Sequence, residues 1–455
     1  MINTFRPYQQ DVFDAVSDSI VGRKGLTFSV EIARQGGKNE LSAQLELSLL
    51  VLQMNQTWDL IKCSPTFIPQ ALISMTRLKD RLDDAGFTGR WFTERGYILR
   101  LGHTRAIFLS ADESSRVVGH TAHLLEIDEA QDVGKQKYSK EFKPMAATTN
   151  ATTVLYGTAW DDSTLLEETK QTNLELERKD GIKRHFSYDW QQVARYNPDY
   201  LRYVDGERQR LGEDHPLFRT QYRLLPVRTG GGFLSPDQRA QMQGAHSRCA
   251  SPQPNHVYVA GIDLAGEAEQ IEGQALTSLR PRQDSTVVTI GALDFSSVSQ
   301  LQRQPGLRVV QHYAWTGTRH VELYPRLVDL LKNVWHCRRV LVDATGVGQP
   351  VSAFLREALG SAVTPFTFTP SSKSELGFNL LAAVNSGRLK IYARDGSADS
   401  QSFWLEMEKA RSYYRPSQTM NFYVDPSEGH DDFLMSLALV VEAANQYEPR
   451  TAKGR

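Results

Sequence analysis

Residues 26–53 read LTFSVEIARQGGKNELSAQLELSLLVLQ, and this stretch decides the fold class. An apolar run of strand character leads into Arg34-Gln35-Gly36-Gly37-Lys38-Asn39, and a helix-like segment follows. A strand, a glycine turn bearing a lysine and a helix form a phosphate cradle. Backbone N–H groups and the helix N-terminus meet the anion, while Lys38 reaches its terminal phosphates. The usual motif carries glycine where Ile32 stands and Ser or Thr where Asn39 stands. Taken alone, the loop therefore also reads as a plain glycine turn with a solvated lysine.

Outward from this stretch, the short apolar runs WDLIKCS (58–64), AIFLSA (106–111), HLLEID (123–128) and TTVLYG (152–157) alternate with helix-like segments at 39–53 and 69–85. That rhythm predicts a parallel α/β sheet. Asp128 and Glu129 follow the strand-type run LLEI (124–127), so Asp128 can hold the magnesium of a nucleotide and Glu129 can activate the attacking water. Two exposed carboxylates capping the next helix would look the same locally. A further strand ending in Gly157-Thr158 completes the order of a P-loop ATPase of the RecA/ASCE-like type. The expected ATPase domain is 1–225, with residues 161–225 as a polar rim carrying helical pieces near 165–179 and 200–211.

Residues 226–255 hold three consecutive glycines (230–232) and four prolines, the composition of a linker. Beyond them VYVAGIDLA (257–265), STVVTIGALDF (285–295) and LRVVQHYAW (307–315) read as strands, then come a helix near 321–335, the strand RRVLVDAT (338–345) and another helix. The order β-β-β-α-β-α is the ribonuclease-H-like plan, and 256–455 is the expected second domain.

Asp263 and Asp343 each close an apolar strand, and Asp431-Asp432 open a helix whose body, FLMSLALVV, must be buried. Carboxylates from two strand ends and a helix start can converge on one point. Like charges repel strongly at low dielectric, and divalent cations remedy this. Two metals roughly 3.5–4 Å apart clamp the attacking and leaving oxygens of phosphodiester cleavage. Separately, Asp431 also suits an N-cap and Asp343 a turn. Asp284, before the second strand, reads as an assisting metal ligand or as an exposed strand-end aspartate. His430 reads as a neighbouring ligand or proton shuttle, or as a solvated loop histidine. Residues 266–283 form a long loop or hairpin beside Asp263, and we expect it to gate DNA entry.

The 455 residues carry 52 Lys plus Arg against 53 Asp plus Glu, a net charge of -1, which excludes a polybasic coat for nucleic acid or membrane. Any DNA contact must be a local patch. Arg338-Arg339, Lys373, Arg388, Lys390 and 409–415 with Tyr413 and Tyr414 can line a nuclease channel, and so can a slight basic excess over 77–105, but none is assigned individually. Three scattered cysteines, Cys63, Cys249 and Cys337, indicate neither a disulfide framework nor a zinc site. The start MINTFRPYQQDVF lacks a signal-peptide apolar region, and the longest apolar stretch, 433–441, is too short for a bilayer, so neither export nor a membrane anchor is expected.

With these motifs in this order, the chain resembles the large terminase subunit of tailed bacteriophages, the DNA-packaging motor. The resemblance implies that Arg34 is the arginine before the GK of a deviant Walker A loop (Arg34, Gln35, Gly36, Gly37, Lys38, Asn39) and that Asp128-Glu129 end the Walker B strand. It matches Gly157-Thr158 to the coupling motif, Gln9 to an adenine-contacting glutamine, and Arg116 to an arginine finger on a neighbouring subunit's nucleotide. Such a finger contributes roughly 10³–10⁵ in rate; an ordinary surface arginine is the alternative for Arg116. In the second domain it maps metal-binding acids onto Asp263, Asp343 and the Asp431-Asp432 pair, with Asp432 favoured, and an additional acid onto Asp284. The implied cofactors are ATP with Mg²⁺ in the first domain and Mg²⁺ or Mn²⁺, as two ions, in the second. The implied partners are double-stranded DNA, a small terminase subunit, the portal protein of a procapsid and further copies in a ring, commonly a pentamer. The place of action is then the cytoplasm of the infected host, at the portal vertex. Two other readings stay open: a helicase-nuclease of repair or restriction type, and a degenerate ATPase serving as assembly scaffold, which Asn39 keeps alive.

Overall fold

The computed structural model describes residues 5–117, 119–227, 231–265, 285–298, 304–318, 320–345, 348–415 and 417–447. Residues 266–283 and Asp284 lie outside this set, and so does the expected gate. The chain divides into two compact units. The first comprises Met1–Asp205, Pro216–Arg228 and Pro416–Gln418; the second comprises Gly206–His215, Thr229–Arg415 and Thr419–Arg455. No helix among the described residues is long and apolar enough to cross a membrane.

The first unit is built on eight strands: β1 (Thr27–Ile32), β2 (Asp59–Ser64), β3 (Trp91–Glu94), β4 (Ile98–Leu101), β5 (Thr104–Ser110), β6 (Leu124–Ile127), β7 (Thr152–Gly157) and β8 (His185–Tyr188). Their order is β3-β4-β5-β2-β6-β7-β1-β8. From β5 to β8 all neighbours are parallel, and β3 and β4 add an antiparallel edge. Strands covered on both faces read as continuous apolar runs, and β2, β6 and β7 are buried at every position. Ile61, Ile107, Leu125, Ile127 and Leu155 form the heart of one core cluster. Helix α1 (Pro7–Val21) starts with proline at its first position, where the missing N–H is no loss. Helix α2 (Lys38–Leu52) buries Leu41, Leu45 and Leu49, and α3 (Leu72–Asp84) buries Met75, Leu78 and Leu82.

Strand β7 lies between β1 and β6, so the end of β7 separates the glycine loop after β1 from the Asp-Glu pair after β6. The expected rim contains the helix Leu165–Asp180, capped by Thr164, whose side chain accepts from Glu167 N, and ended by Gly181 at φ 73°. The helix Pro198–Leu211 follows.

The second unit holds β9 (Val257–Asp263), β10 (Ser285–Asp294), β11 (Gly306–Thr316), β12 (Arg339–Asp343), β13 (Val363–Phe366) and β14 (Leu389–Ile391), in the order β13-β12-β9-β10-β11-β14. Strand β10 is antiparallel to β9 and β11, while β12 and β13 run parallel to β9. This is the mixed sheet of the expected ribonuclease-H-like plan. A two-stranded ribbon, β15 (Arg411–Tyr414) with β16 (Met420–Tyr423), is separate. The helix Asp432–Asn445 lies directly on β9, because Gly261 has no side chain: a Cβ there would collide with Ser436 O and Val440 N. Of the stretch read as a linker, residues 231–255 are structured within this unit. Ser235 caps a helix Pro236–Met242, Gln243 bridges to Ile391, and Phe233 stacks on Phe422 with ring centroids 4.9 Å apart. Its apolar residues Phe233, Leu234 and Met242 are buried, which is why a proline- and glycine-rich composition gives a packed strap.

His312, on β11, is fully buried against the rings of Phe403, Phe433 and Tyr392, with Nδ1 2.9 Å from Tyr392 Oη. Burial, aided by Arg248, pushes its pKa down to about 3. The folded ring is therefore neutral, whereas the unfolded ring takes up a proton near pH 6.5. Its stabilising contribution is intact above that pH and is lost as the pH falls through the window from about 6.5 to 3. By pH 5 the loss is about 2 kcal/mol. Urea unfolding of the second unit at pH 7 and pH 5 is expected to show this fall, and His312→Phe should reduce it; an unchanged fall in the variant would assign the acid sensitivity to other groups.

Candidate functional sites

In the first unit the loop after β1 is wound tightly. Gln35 and Gly37 have φ of 62° and 94°, and α2 begins at Lys38. A Cβ on Gly36 would lie 2.6 Å from Ile32 Cγ2, and one on Gly37 would lie 2.7 Å from Gln9 Nε2. Both positions thus need glycine. Helix α1 braces the loop: Tyr8 Oη donates to Gly36 O at 2.6 Å, and Gln9 Nε2 donates to Gly37 O at 3.1 Å. Arg34 donates through Nη1 to Gln221 Oε1 at 2.7 Å, and its carbonyl accepts from Tyr200 Oη at 2.9 Å.

Asp128 and Glu129 follow β6. Asp128 is almost fully buried; burial raises its pKa and Glu129 adds to the rise, while Lys62 and Lys38 oppose it. Glu129 takes a left-handed backbone, φ 46°, that turns its carboxylate toward Lys38, with Nζ and Oε1 3.5 Å apart. Burial alone would raise the Glu129 pKa, but Lys38 and a hydrogen bond from Gln131 outweigh it and the pKa is lowered. Glu129 is therefore held ionised.

Gln131 joins the pieces. Its Nε2 donates to Glu129 Oε2 at 2.7 Å, and its Oε1 accepts from Thr158 N at 3.2 Å. A Cβ at Gly157 would collide with that Oε1, so glycine is required for the bridge. The sequence reading missed Gln131; the signal available was a buried-type polar residue two positions after the Asp-Glu pair. A cavity of about 500 Å³ gathers Arg34, Gln35, Gly36, Gly37, Lys38, Asn39, Glu129, Gln131 and Thr158, with Gln70, Arg77 and Asp132 also in its wall. Asp128 lies outside the lining, as does Gln9, which reaches the loop from behind. Arg116 is exposed on the chain after β5 and does not line this cavity. Beneath the site Lys62 is completely enclosed, donating to Ser42 Oγ at 2.6 Å and to Glu46 Oε1 at 2.8 Å, while Ser42 also donates to Glu126 at 3.1 Å.

In the second unit Asp263 and Asp343 end parallel neighbours β9 and β12, whose register pairs Ile262 with Val342, so the two aspartates are level. Asp432 begins the helix Asp432–Asn445, and its Oδ2 accepts from Ser285 N at 2.8 Å. Asp431 is the N-cap residue of that helix, without a side-chain cap bond to it. Asp343 Oδ1 accepts from Thr345 N at 2.8 Å, so that aspartate does organise its turn as well. The Asp263 pKa is pushed well up, first by burial and then by the like charges of Asp432, Asp343, Asp431 and Glu406. Asp263, Asp343, Asp431 and Asp432 thus share one electrostatic environment.

Two further groups belong to it. Glu406, on the helix Ala398–Lys409, accepts from Leu434 N at 3.1 Å, and its pKa is pushed up to about 9 by burial and by Asp432 and Asp431. Lys373, on the helix Pro370–Asn385, has its pKa lowered by burial, against the pull of Asp431 and Asp263, and its Nζ lies 5.5 Å from the Phe422 ring centroid. Sequence had offered Lys373 only as one of many basic residues and Glu406 not at all, since mid-helix residues carry no local sign of what they face. His430 is half-buried beside the pair. The donor set is all hard carboxylate oxygen, which suits Mg²⁺ or Mn²⁺. Among the described residues no three His, Cys, Asp or Glu side chains are gathered closely enough to grip an ion as they stand.

Residues 294–443 match the family model described as the terminase RNaseH-like domain. The large terminase subunit of Thermus phage G20c is 28% identical over 200 residues, 43% of this chain and 33% of that protein. Residues 294–443 therefore resemble the RNaseH-like domain of terminases, and over 200 residues the chain is similar to a large terminase subunit. It spans about a third of the length of the curated relative that it matches. The large terminase of a thermophilic bacteriophage is similar in fold, with a TM-score of 0.55 and 14% identity over 96% of this chain and 98% of that one. The structure of that same terminase in complex with ATP-gamma-S gives a TM-score of 0.53 and 13% identity over 97% and 99%. This large-terminase fold is mixed α/β with a ribonuclease-H-like C-terminal domain.

Because Glu406 is neutral at pH 7 and accepts a backbone N–H, Glu406→Gln should keep the melting temperature of the second unit. Glu406→Ala, which removes the acceptor, should cost about 1–3 kcal/mol. Equal melting curves for both variants in thermal denaturation would show that the hydrogen bond to Leu434 contributes nothing.

Proposed function

We propose that this chain is a viral DNA-packaging motor, which couples ATP hydrolysis to translocation of double-stranded DNA and cuts concatemeric DNA with a metal-dependent endonuclease. The observation that carries the reading is the continuous connection from Lys38 through Glu129 and Gln131 to Thr158 in one cavity. The complex of the thermophilic phage's large terminase with ATP-gamma-S supports ATP as the ligand.

In this reading Arg34, Gln35, Gly36, Gly37 and Lys38 cradle the phosphates, with Lys38 on the terminal ones. Asp128 and Asn39 would hold Mg²⁺, Asn39 offering a side-chain carbonyl where Ser or Thr is usual. Bound there, Mg²⁺ supplies neutralisation of phosphate charge. Glu129, kept ionised by Lys38 and Gln131, orients the attacking water. Gln131 then passes any movement of Glu129 to Thr158 and so to the end of β7, which is where hydrolysis becomes motion. Gln9 acts through the loop it braces and through adenine, and Gly157 makes room for the bridge. Arg116, exposed and away from its own cavity, is free to serve a neighbouring copy as a finger.

In the second unit Asp263, Asp343, Asp431 and Asp432 would hold two Mg²⁺ or Mn²⁺ ions, with Asp284 assisting. Such ions supply a clamp on the attacking and leaving oxygens. Asp432 keeps its orientation through Ser285 N, and Asp343 through Thr345 N. Lys373 offers a cation to the scissile phosphate. Double-stranded DNA, a small terminase subunit, a procapsid portal and a pentameric ring of this chain complete the machine, acting in the cytoplasm of the infected host. The ribonuclease-H-like order of the second sheet weighs against a helicase, which needs a second RecA-like lobe in that place.

Two outcomes test the halves separately. Supercoiled plasmid should be cut by the purified chain with Mn²⁺ or Mg²⁺, and cutting should stop with EDTA and in Asp343→Ala; no cutting under any metal would remove the nuclease half. ATP hydrolysis should fall at least about 100-fold in Lys38→Ala and Glu129→Ala, and about 10-fold in Gln131→Ala. Hydrolysis unaffected by Lys38→Ala would leave the scaffold reading standing.

A further inference from the structure

The cavity at the glycine loop contains a cation that the sequence motifs do not account for. Arg77, in the second turn of α3, lines the same space as Lys38, Asn39 and Glu129. Its Nη1 stands 3.6 Å from Glu40 Oε2, and Arg81, one turn on, has Nη1 3.6 Å from Glu40 Oε1. Glu40 is in the first turn of α2, next to Asn39. Arg77 is thereby tied to the very helix whose N-terminus faces the phosphates.

The side chain is half sunk into the wall. Its Nε is buried and has no hydrogen-bond partner among the described residues, yet the side chain as a whole keeps 40% exposure. Long, loose contacts to one carboxylate hold the guanidinium without satisfying it. At 3.6 Å the contact to Glu40 exceeds hydrogen-bond length, so the exposed part of the guanidinium can take an anion arriving in the cavity.

The sheet order says which end of the nucleotide Arg77 meets. Strand β8 flanks β1 on one side, and the loop is braced there by Tyr8, which packs against Tyr188 of β8, and by Gln9. On the other side come β7, then β6 with Asp128 and Glu129, then β2. Helix α3 follows β2 in the chain. Arg77 therefore approaches from beyond the Asp-Glu pair, at the hydrolytic end of the cavity.

We infer that Arg77 is a nucleotide-contacting residue supplied in cis, which recognises the γ-phosphate and makes the site prefer a triphosphate over a diphosphate. This rests on the reading of the cavity as an ATP site. Arg77 differs in kind from Arg116, whose proposed role needs a second subunit. When the γ-phosphate leaves, Arg77 falls back on Glu40, so the first turn of α2 and the second turn of α3 are coupled to the state of the nucleotide.

The test is calorimetric binding of Mg²⁺ with ATP-gamma-S and of Mg²⁺ with ADP to the full chain, in wild type, Arg77→Ala, Arg77→Lys and Arg81→Ala. Arg77→Ala should weaken ATP-gamma-S about 10-fold or more while ADP changes less than about 2-fold. Arg77→Lys should recover part of the difference. Arg81→Ala, which loses the same Glu40 contact but does not line the cavity, should leave both affinities within about 2-fold and so controls for damage to α3. Mixing Arg77→Ala with Lys38→Ala subunits should restore no hydrolysis, because each defect lies in its own copy's site. Equal weakening of both nucleotides, no weakening, or recovery on mixing would overturn the inference. Wild type binding neither nucleotide would instead defeat the ATP-site reading itself.

Discussion

The parallel register of the first sheet is the constraint on which the rest depends. Because β1, β7 and β6 run the same way and in step, with Glu31 opposite Gly157 and Ile127 opposite Leu155, their C-terminal ends come out along one edge. A glycine loop, a Gly-Thr pair and an Asp-Glu pair from three separate parts of the chain are thus set side by side before any side chain acts. Ligand sites in open α/β sheets form at such edges. What distinguishes this one is the strand in the middle: Gln131 ties Glu129, after β6, to Thr158 at the end of β7, while Glu129 meets Lys38 of the glycine loop directly.

Charge is handled differently at the two sites. Under the glycine loop, Lys62 lies sealed between Glu46 and Glu126, and Lys170 faces the buried Glu31 at 3.2 Å. Enclosed ion pairs of this kind contribute little net stability but are expensive to break, so they fix α2 and the helix Leu165–Asp180 against the sheet. In the second unit the opposite holds. Burial and neighbouring aspartates together raise the pKa values of Asp263 and Glu406, and Lys373 is a cation that Asp431 and Asp263 attract. That setting favours any process that brings positive charge into it.

Legibility followed the range of the interactions involved. Lys38, Asp128, Glu129, Asp263, Asp343 and the Asp431-Asp432 pair each sit at the junction of an apolar run and a turn, a pattern that survives in one dimension. The strands with continuous apolar runs were legible for the same reason. Gln131, Glu406 and Arg77 were not, because their importance depends on which residue of another element they meet: Thr158, Leu434 and Glu40 respectively. Edge strands were also invisible. Strand β3, Trp91–Glu94, is partly exposed along its length, and β8, His185–Tyr188, is only four residues long, so neither offers an apolar run. The strap at 231–255 misled through its prolines and glycines, since three well-placed apolar residues sufficed to pack it.

Gly261 carries a consequence for how such a domain can diversify. At that point the helix bearing Asp432 touches the strand bearing Asp263 backbone to backbone, with no side chain as spacer. The separation of those two acids is consequently insulated from the identity of the surrounding core residues. Apolar side chains elsewhere in the sheet can be exchanged, and the domain can drift far in sequence, without altering that separation. A residue with a Cβ at position 261 would move it.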